Sequence, residues 1–134
     1  MTPELTVLAL AAFLQIGQIF LAGWSMNRDA GLDWNAGPRD GPAPEVSALT
    51  GRLRRAVNNH FEGLALFTIA VLVVSLSGKA SALTAVCAWV YLAARVLYVP
   101  AYAFGWSPWR SVIFGIATGA TLVMLLVALI GGGG

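Results

Sequence analysis

The sequence predicts an all-α membrane protein, a bundle of four transmembrane helices. Two bulk numbers and one pattern predict it. Of 134 residues, 58% are hydrophobic and only 10% charged, and the mean hydropathy is +0.77. A soluble domain carries charge on roughly a quarter of its residues. The pattern is four apolar runs separated by turn-forming residues. Each run can cross about 30 Å of hydrocarbon at about 1.5 Å per residue. Fifteen glycines suit the close packing of such helices. A chain of this size makes one domain, spanning 1–130.

The first span is expected at 3–24. Pro3 suits a helix start. The run is too long for a signal-peptide core, and Glu4 precedes it without an early Lys or Arg, so it is expected to remain as a helix. Gln15 and Gln18 lie one turn apart and call for partners inside the bundle, most simply an interhelical hydrogen bond. Residues 25–46 carry Asn27, Gly31, Asn35, Gly37, Pro38, Gly41, Pro42 and Pro44 together with six charged residues, and are expected to form a long polar loop.

Ser47 is the expected N-cap of a second helix over 48–77, polar in its first half and apolar over 63–76. Ser77, Gly78 and Lys79 form a turn. The third helix covers about 81–104 and the fourth about 109–130, with Gly115 and Gly119 spaced as a close-packing pair. Residues 131–134 are four glycines, expected as a frayed tail.

Six arginines flank the first and third loops, and only Lys79 marks the opposite side. The positive-inside rule therefore places loops 25–46 and 105–108 in the cytoplasm, with Trp24, Trp106 and Trp109 as an interfacial belt. The net charge of +2 reflects this topology and not nucleic-acid binding. The lone Cys87 excludes an intramolecular disulfide, and no His or Cys pair has metal-ligand spacing. There is no Gly-rich phosphate loop and no serine-nucleophile motif.

Residues 52–67 concentrate the chemistry. At about 100° per residue, Arg52, Arg55, Asn59 and Glu62 share one narrow stripe of the second helix. Arg54 and His60 point elsewhere, and His60 is expected at the interface. Arg95 lies well inside the third span, with Tyr91, Tyr98 and Tyr102 on its face. A charge at that depth costs roughly 2.5–3.5 kcal/mol on insertion scales, so it needs a partner. Glu62 reaches similar depth from the other direction, and a Glu62–Arg95 ion pair is expected. One reading of these groups is a structural network that locks the helices. Against it stands a surplus of guanidinium: Arg52, Arg55 and Arg110 lack buried carboxylates, which points to an anionic ligand. Arg110 opens the fourth helix, where it can snorkel to lipid phosphates or close over that ligand.

Arg55-Ala56-x-x-Asn59-x-x-Glu62 with Leu66-Phe67, Arg95-x-x-Tyr98-x-x-x-Tyr102, and Pro108-x-Arg110-Ser111 together resemble the membrane-associated proteins in eicosanoid and glutathione metabolism, the MAPEG family. The Gly37-Pro38-Arg39-Asp40 loop is similar to that of its small bacterial members, which implies a bacterial inner membrane. The resemblance implies a homotrimer with glutathione, or another low-molecular-weight thiol, bound between protomers. It implies thiol contacts from Arg52, Arg55, Asn59, Glu62, Arg95, Tyr98 and Tyr102, and thiolate activation by Arg110. The implied activity is a transferase or peroxidase acting on lipophilic electrophiles drawn from the bilayer. Gly63 stands where some family enzymes carry tyrosine, and Ala65 where they carry proline. The family also contains a non-catalytic lipid-binding member, so a membrane scaffold that binds lipid or a partner complex is the alternative.

Overall fold

The computed structural model describes residues 1–42 and 44–131; Ala43 and the last three residues of the glycine tail lie outside the described residues. The elements are α1 (Pro3–Ala30), a short α2 (Leu32–Ala36), α3 (Ala48–Leu76), α4 (Ala82–Ala103) and α5 (Trp109–Ile130). All but α2 are long and apolar enough to cross a membrane. The described residues contain no strand.

Thr2 caps α1, its hydroxyl accepting the Leu5 N–H, and Pro3 follows where a missing N–H costs nothing. The helix does not stop near Trp24. It continues through Asn27, Arg28 and Asp29 to Gly31, whose φ of 88° ends it. Polar residues alone did not break the helix; a backbone conformation that favours glycine did. The expected loop 25–46 is therefore shorter. Part of it is α2, which folds back on α1 through a 2.6 Å hydrogen bond from Asn35 Nδ2 to Asn27 Oδ1.

Ser47 caps α3 as expected, accepting the Thr50 N–H. The cap is also tied to α1. The Asp29 carboxylate accepts from the Ser47 N–H at 2.9 Å, from the Ser47 hydroxyl at 2.7 Å and from the Thr50 hydroxyl. Thr50 also meets Ser25 in the buried interface. Lower down, Gln15 Nε2 donates to the Val57 carbonyl at 3.1 Å, which supplies the interhelical bond expected of that face.

The opposite end is stitched by different chemistry. Ser81 and Thr84 form a capping box at the start of α4. The Thr84 hydroxyl donates to the buried Glu4 carboxylate of α1 at 2.7 Å, and Lys79 Nζ donates to the Ala128 carbonyl near the end of α5. Between the two ends, an alanine-rich core of Val7, Ala11, Ala70, Val74, Ala88 and Met124 surrounds a parallel stack of Phe67 on Tyr91, with ring centroids 3.9 Å apart. Gly115 and Gly119 do not serve as a close-packing pair within this chain. A Cβ built on either meets nothing within 4 Å. Ala117, Ala120, Thr121 and Met124 face the core instead.

Thr84→Val keeps the shape but removes the only hydroxyl that donates to Glu4 among the described residues. Stranding a buried acceptor costs about 1–3 kcal/mol. Tryptophan-fluorescence melts of the detergent-solubilised protein should show a lower Tm for Thr84→Val than for the native chain.

Candidate functional site

The arginine-bearing end of the bundle holds a crevice of about 290 Å³ between α3, α4 and α5, lined by Asn59, Tyr98, Tyr102, Arg110, Ser111 and Phe114. Helical spacing explains the convergence. Tyr98 and Tyr102 lie one turn apart on α4, and Arg110 and Phe114 one turn apart on α5. Asn59 closes the crevice from α3.

The polar groups of this crevice are turned to donate. The Arg110 guanidinium sits 4.8 Å from the Tyr102 ring centroid, over its π-face. Arg55 approaches the same tyrosine, its Nε donating to the Tyr102 hydroxyl at 3.3 Å. Tyr102 accepts that bond, so its own O–H is left to donate. Asn59 Oδ1 accepts from Arg95 Nη1 at 3.0 Å, which leaves the Asn59 NH₂ as the group free for a guest.

Arg95 itself is buried behind the crevice, with 1% of its surface exposed. Its partners are all neutral. Nη1 bonds Asn59, Nε donates to His60 Nδ1 at 3.4 Å, and the guanidinium lies 4.4 Å from the Tyr98 ring centroid. His60 Nε2 faces the Ala11 carbonyl at 3.2 Å. A carbonyl only accepts, so Nε2 carries the proton and Nδ1 is free to receive Arg95. The histidine is thus a neutral bridge from the α1 backbone to the α4 guanidinium.

Two expectations are corrected by this arrangement. Glu62 makes no ion pair with Arg95. It is exposed on the outer side of α3, and the only ion pair among the described residues is Arg28–Asp29. The reason is rotational: His60 and Asn59 face α4, and Glu62 turns past it. His60 is not interfacial but fully buried. Arg52 is not among the crevice's lining residues. Its guanidinium packs against Gly105, at whose φ of 66° a Cβ would come within 3.3 Å of Arg52 Cζ. Arg55 stands at the rim, held by Tyr102.

The site thus unites Asn59, Tyr98, Tyr102 and Arg110, backs them with Arg95, and adds Ser111 and Phe114. The Tyr91 hydroxyl and Arg95 Nη2 are buried without partners among the described residues, and the Tyr91 hydroxyl would lie 3.5 Å from a Cβ at Gly63. A second crevice of about 280 Å³ opens between α1, α2 and α3, with Arg39 and Arg54 on its wall. Arg39 is anchored there by Asn35, its Nη2 donating to Asn35 Oδ1 at 2.7 Å.

The model of the MAPEG family matches residues 6–130, nearly the whole chain. The chain belongs to the MAPEG family. It matches no curated protein and no solved structure at a significant level. Members of the family are generally glutathione-related transferases and peroxidases or related membrane proteins. The chain is accordingly an integral, multi-pass membrane protein whose spans contact lipid. Arg55, Asn59, Tyr102 and Arg110 carry the hydrogen-bond donors that the crevice and its rim present.

His60→Leu preserves bulk in the core but removes the acceptor for Arg95 Nε. Leaving that buried donor unpaired costs about 1–3 kcal/mol. The variant should melt below the native protein, and His60→Gln, which retains an acceptor, should recover part of the loss in the same assay.

Proposed function

We propose that this chain is a membrane-bound thiol transferase or peroxidase that joins glutathione, or a similar small thiol, to lipophilic electrophiles. The supporting observation is the donor-turned lining of the α3–α5 crevice. Guanidinium, amide N–H and phenol O–H converge there without a carboxylate, which favours an anionic guest.

Glutathione supplies a thiol that becomes nucleophilic on losing its proton. Arg110 is the group placed to favour that loss. A guanidinium beside a thiol stabilises the thiolate and lowers its pKa. Arg110 also sits in the first turn of α5, where the helix dipole further favours negative charge. Arg55 and Arg95 suit the carboxylates of the guest, Arg95 through the Asn59 that it orients. Glu62 suits its ammonium group. Phe114, on the same face as Arg110, offers an apolar wall to an electrophile arriving from the bilayer.

The crevice opens at the surface of a single protomer, and Glu62 lies exposed at membrane depth. Both features favour a homotrimer in which a neighbouring copy closes the site. The arginine-bearing end is the cytoplasmic one, where a soluble thiol is available, and the membrane is the bacterial inner membrane.

Arg110→Ala should cut turnover of a chloronitrobenzene with glutathione about 100-fold, the usual cost of removing one donor that stabilises developing charge. Calorimetry should find its glutathione affinity little changed, whereas Arg55→Ala should weaken binding. Unchanged turnover in Arg110→Ala would remove the activator. A native protein that neither binds glutathione nor turns over would be a scaffold.

A further inference from the structure

The crevice between α1, α2 and α3 shares no lining residue with the α3–α5 site, so what it binds does not depend on the thiol reading. Its volume is about 280 Å³, and its two halves differ in character. The floor is apolar. Ile19, Ala22 and Met26 recur at steps of three and four on α1, and Val57 of α3 joins them. The roof is cationic, with Arg39 just beyond α2, Arg54 on α3, and the Asn58 amide one turn further along α3.

Arg39 separates this crevice from a patch of loose surface charge. The residue is exposed, yet its guanidinium is fixed. Nε donates to the Asn35 carbonyl at 2.8 Å and Nη2 to Asn35 Oδ1 at 2.7 Å. The same guanidinium lies over the Trp34 ring, 5.8 Å from its centroid. Asn35 is held in turn by Asn27 of α1. The backbone takes part as well: Arg39 has a φ of 58°, a region that residues with side chains rarely adopt. Binding normally has to remove the rotamer freedom of a long side chain; here folding has already removed it. Nη1 is left to donate. Arg54 brings a second guanidinium. Neither arginine makes an ion pair among the described residues, not even Arg39 with its neighbour Asp40. Two uncompensated guanidiniums over one crevice call for an anion.

The floor decides which anion. Ile19 lies five residues before Trp24 and Met26 two after it. The floor therefore runs from about 7 Å on the hydrocarbon side of that interfacial ring to about 3 Å on the polar side. A soluble anion uses the roof alone and leaves Ile19, Ala22 and Val57 uncovered. A phospholipid uses both halves, its phosphate at the roof and the first methylenes of its acyl chains along the floor. A headgroup that adds its own cation, such as choline, meets repulsion from the two arginines, whereas basic pockets between membrane helices suit anionic lipids. We infer that this crevice binds an anionic glycerophospholipid from the leaflet at the arginine-bearing end, with the phosphate held by Arg39 and Arg54.

The test is photolabelling of the native chain in phosphatidylcholine nanodiscs. Phosphatidylglycerol and phosphatidylcholine probes carry the same diazirine on the acyl chain next to the glycerol and differ by one unit of net charge. The phosphatidylglycerol probe should label Ile19, Ala22 and Val57 about fivefold more strongly, the preference that one charge confers at such a surface. Arg54→Gln, at an exposed position of α3, should bring the two probes close to equality. Arg39→Lys keeps the charge but cannot hold both Asn35 acceptors in one fork, and should lose most of the preference as well. A preference unchanged in Arg39→Lys would mark diffuse surface charge and overturn the site. Equal labelling of the native chain by the two probes would also overturn it, as would crosslinks placing a second copy of the chain over Arg39 and Arg54. Excess inorganic phosphate and excess glutathione, at matched ionic strength, separate the sources of the anion. Neither should displace the lipid. Displacement by phosphate would assign the roof to a soluble anion, and displacement by glutathione would assign it to a thiol site; either result would refute the lipid.

Discussion

The structure depends on how one buried cation is held without a counterion. Arg95 lies inside a membrane-crossing helix, and every group around it is neutral: an imidazole nitrogen, an amide oxygen and the face of a phenol ring. Hydrogen bonds from a charged donor to neutral acceptors are worth more than ordinary ones, about 1.5–3 kcal/mol each. They make the charge tolerable without cancelling it. The positive potential therefore persists into the crevice, where Arg55 and Arg110 already crowd one tyrosine ring. A carboxylate at the position of His60 would have neutralised Arg95 and taken that field away.

The same shell couples the helices. Ala11 of α1 holds His60 of α3, His60 holds Arg95 of α4, and Arg95 returns to Asn59 of α3. The orientation of Asn59 is thus decided three residues away, at a backbone carbonyl of the first span. Mutations in that chain act on the crevice by turning an amide and not by touching a guest. The two bundle ends are fastened independently of it, by Asp29 with Ser47 and Thr50 at one end and by Glu4 with Thr84 at the other. The middle can carry strained polarity because both ends are closed.

Much of the fold was readable in the sequence, and the misreadings have physical causes. Length and hydropathy define the four spans, because a membrane leaves a chain few other choices. The Ser47 cap and the polar character of Gln15 were equally legible. The extension of α1 to Ala30 was not, since Asn27, Arg28 and Asp29 look like a loop until Asp29 is seen capping α3. The residues that line the crevice were legible as types, but the partner of Arg95 was not. Glu62 is the obvious electrostatic choice, and charge attraction favoured it. The signal that opposes it lies on the same helix. Ala56, His60, Gly63, Phe67, Ala70 and Val74 repeat at alternating steps of four and three, the spacing of a buried seam. His60 stands on that seam and Glu62 does not. Packing periodicity, more than charge, decided which side chain faced α4.

The position of Glu62 then becomes informative in its own right. A carboxylate at this depth is costly in lipid unless donors surround it. The protomer supplies none within ion-pair distance, although it holds six arginines at that end. Charge is thus separated within one chain: donors converge in the crevice, and the one acid on the polar stripe stands apart from them. A purely structural network would have joined the two and satisfied both inside the protomer. Under the proposed function, a guest carrying both acidic groups and an amine would reconcile them from outside, its carboxylates meeting the guanidinium side and its ammonium the glutamate. The separation of Glu62 from Arg95, which removes the expected ion pair, therefore leaves the reading of a small acidic guest better supported than the pair itself did.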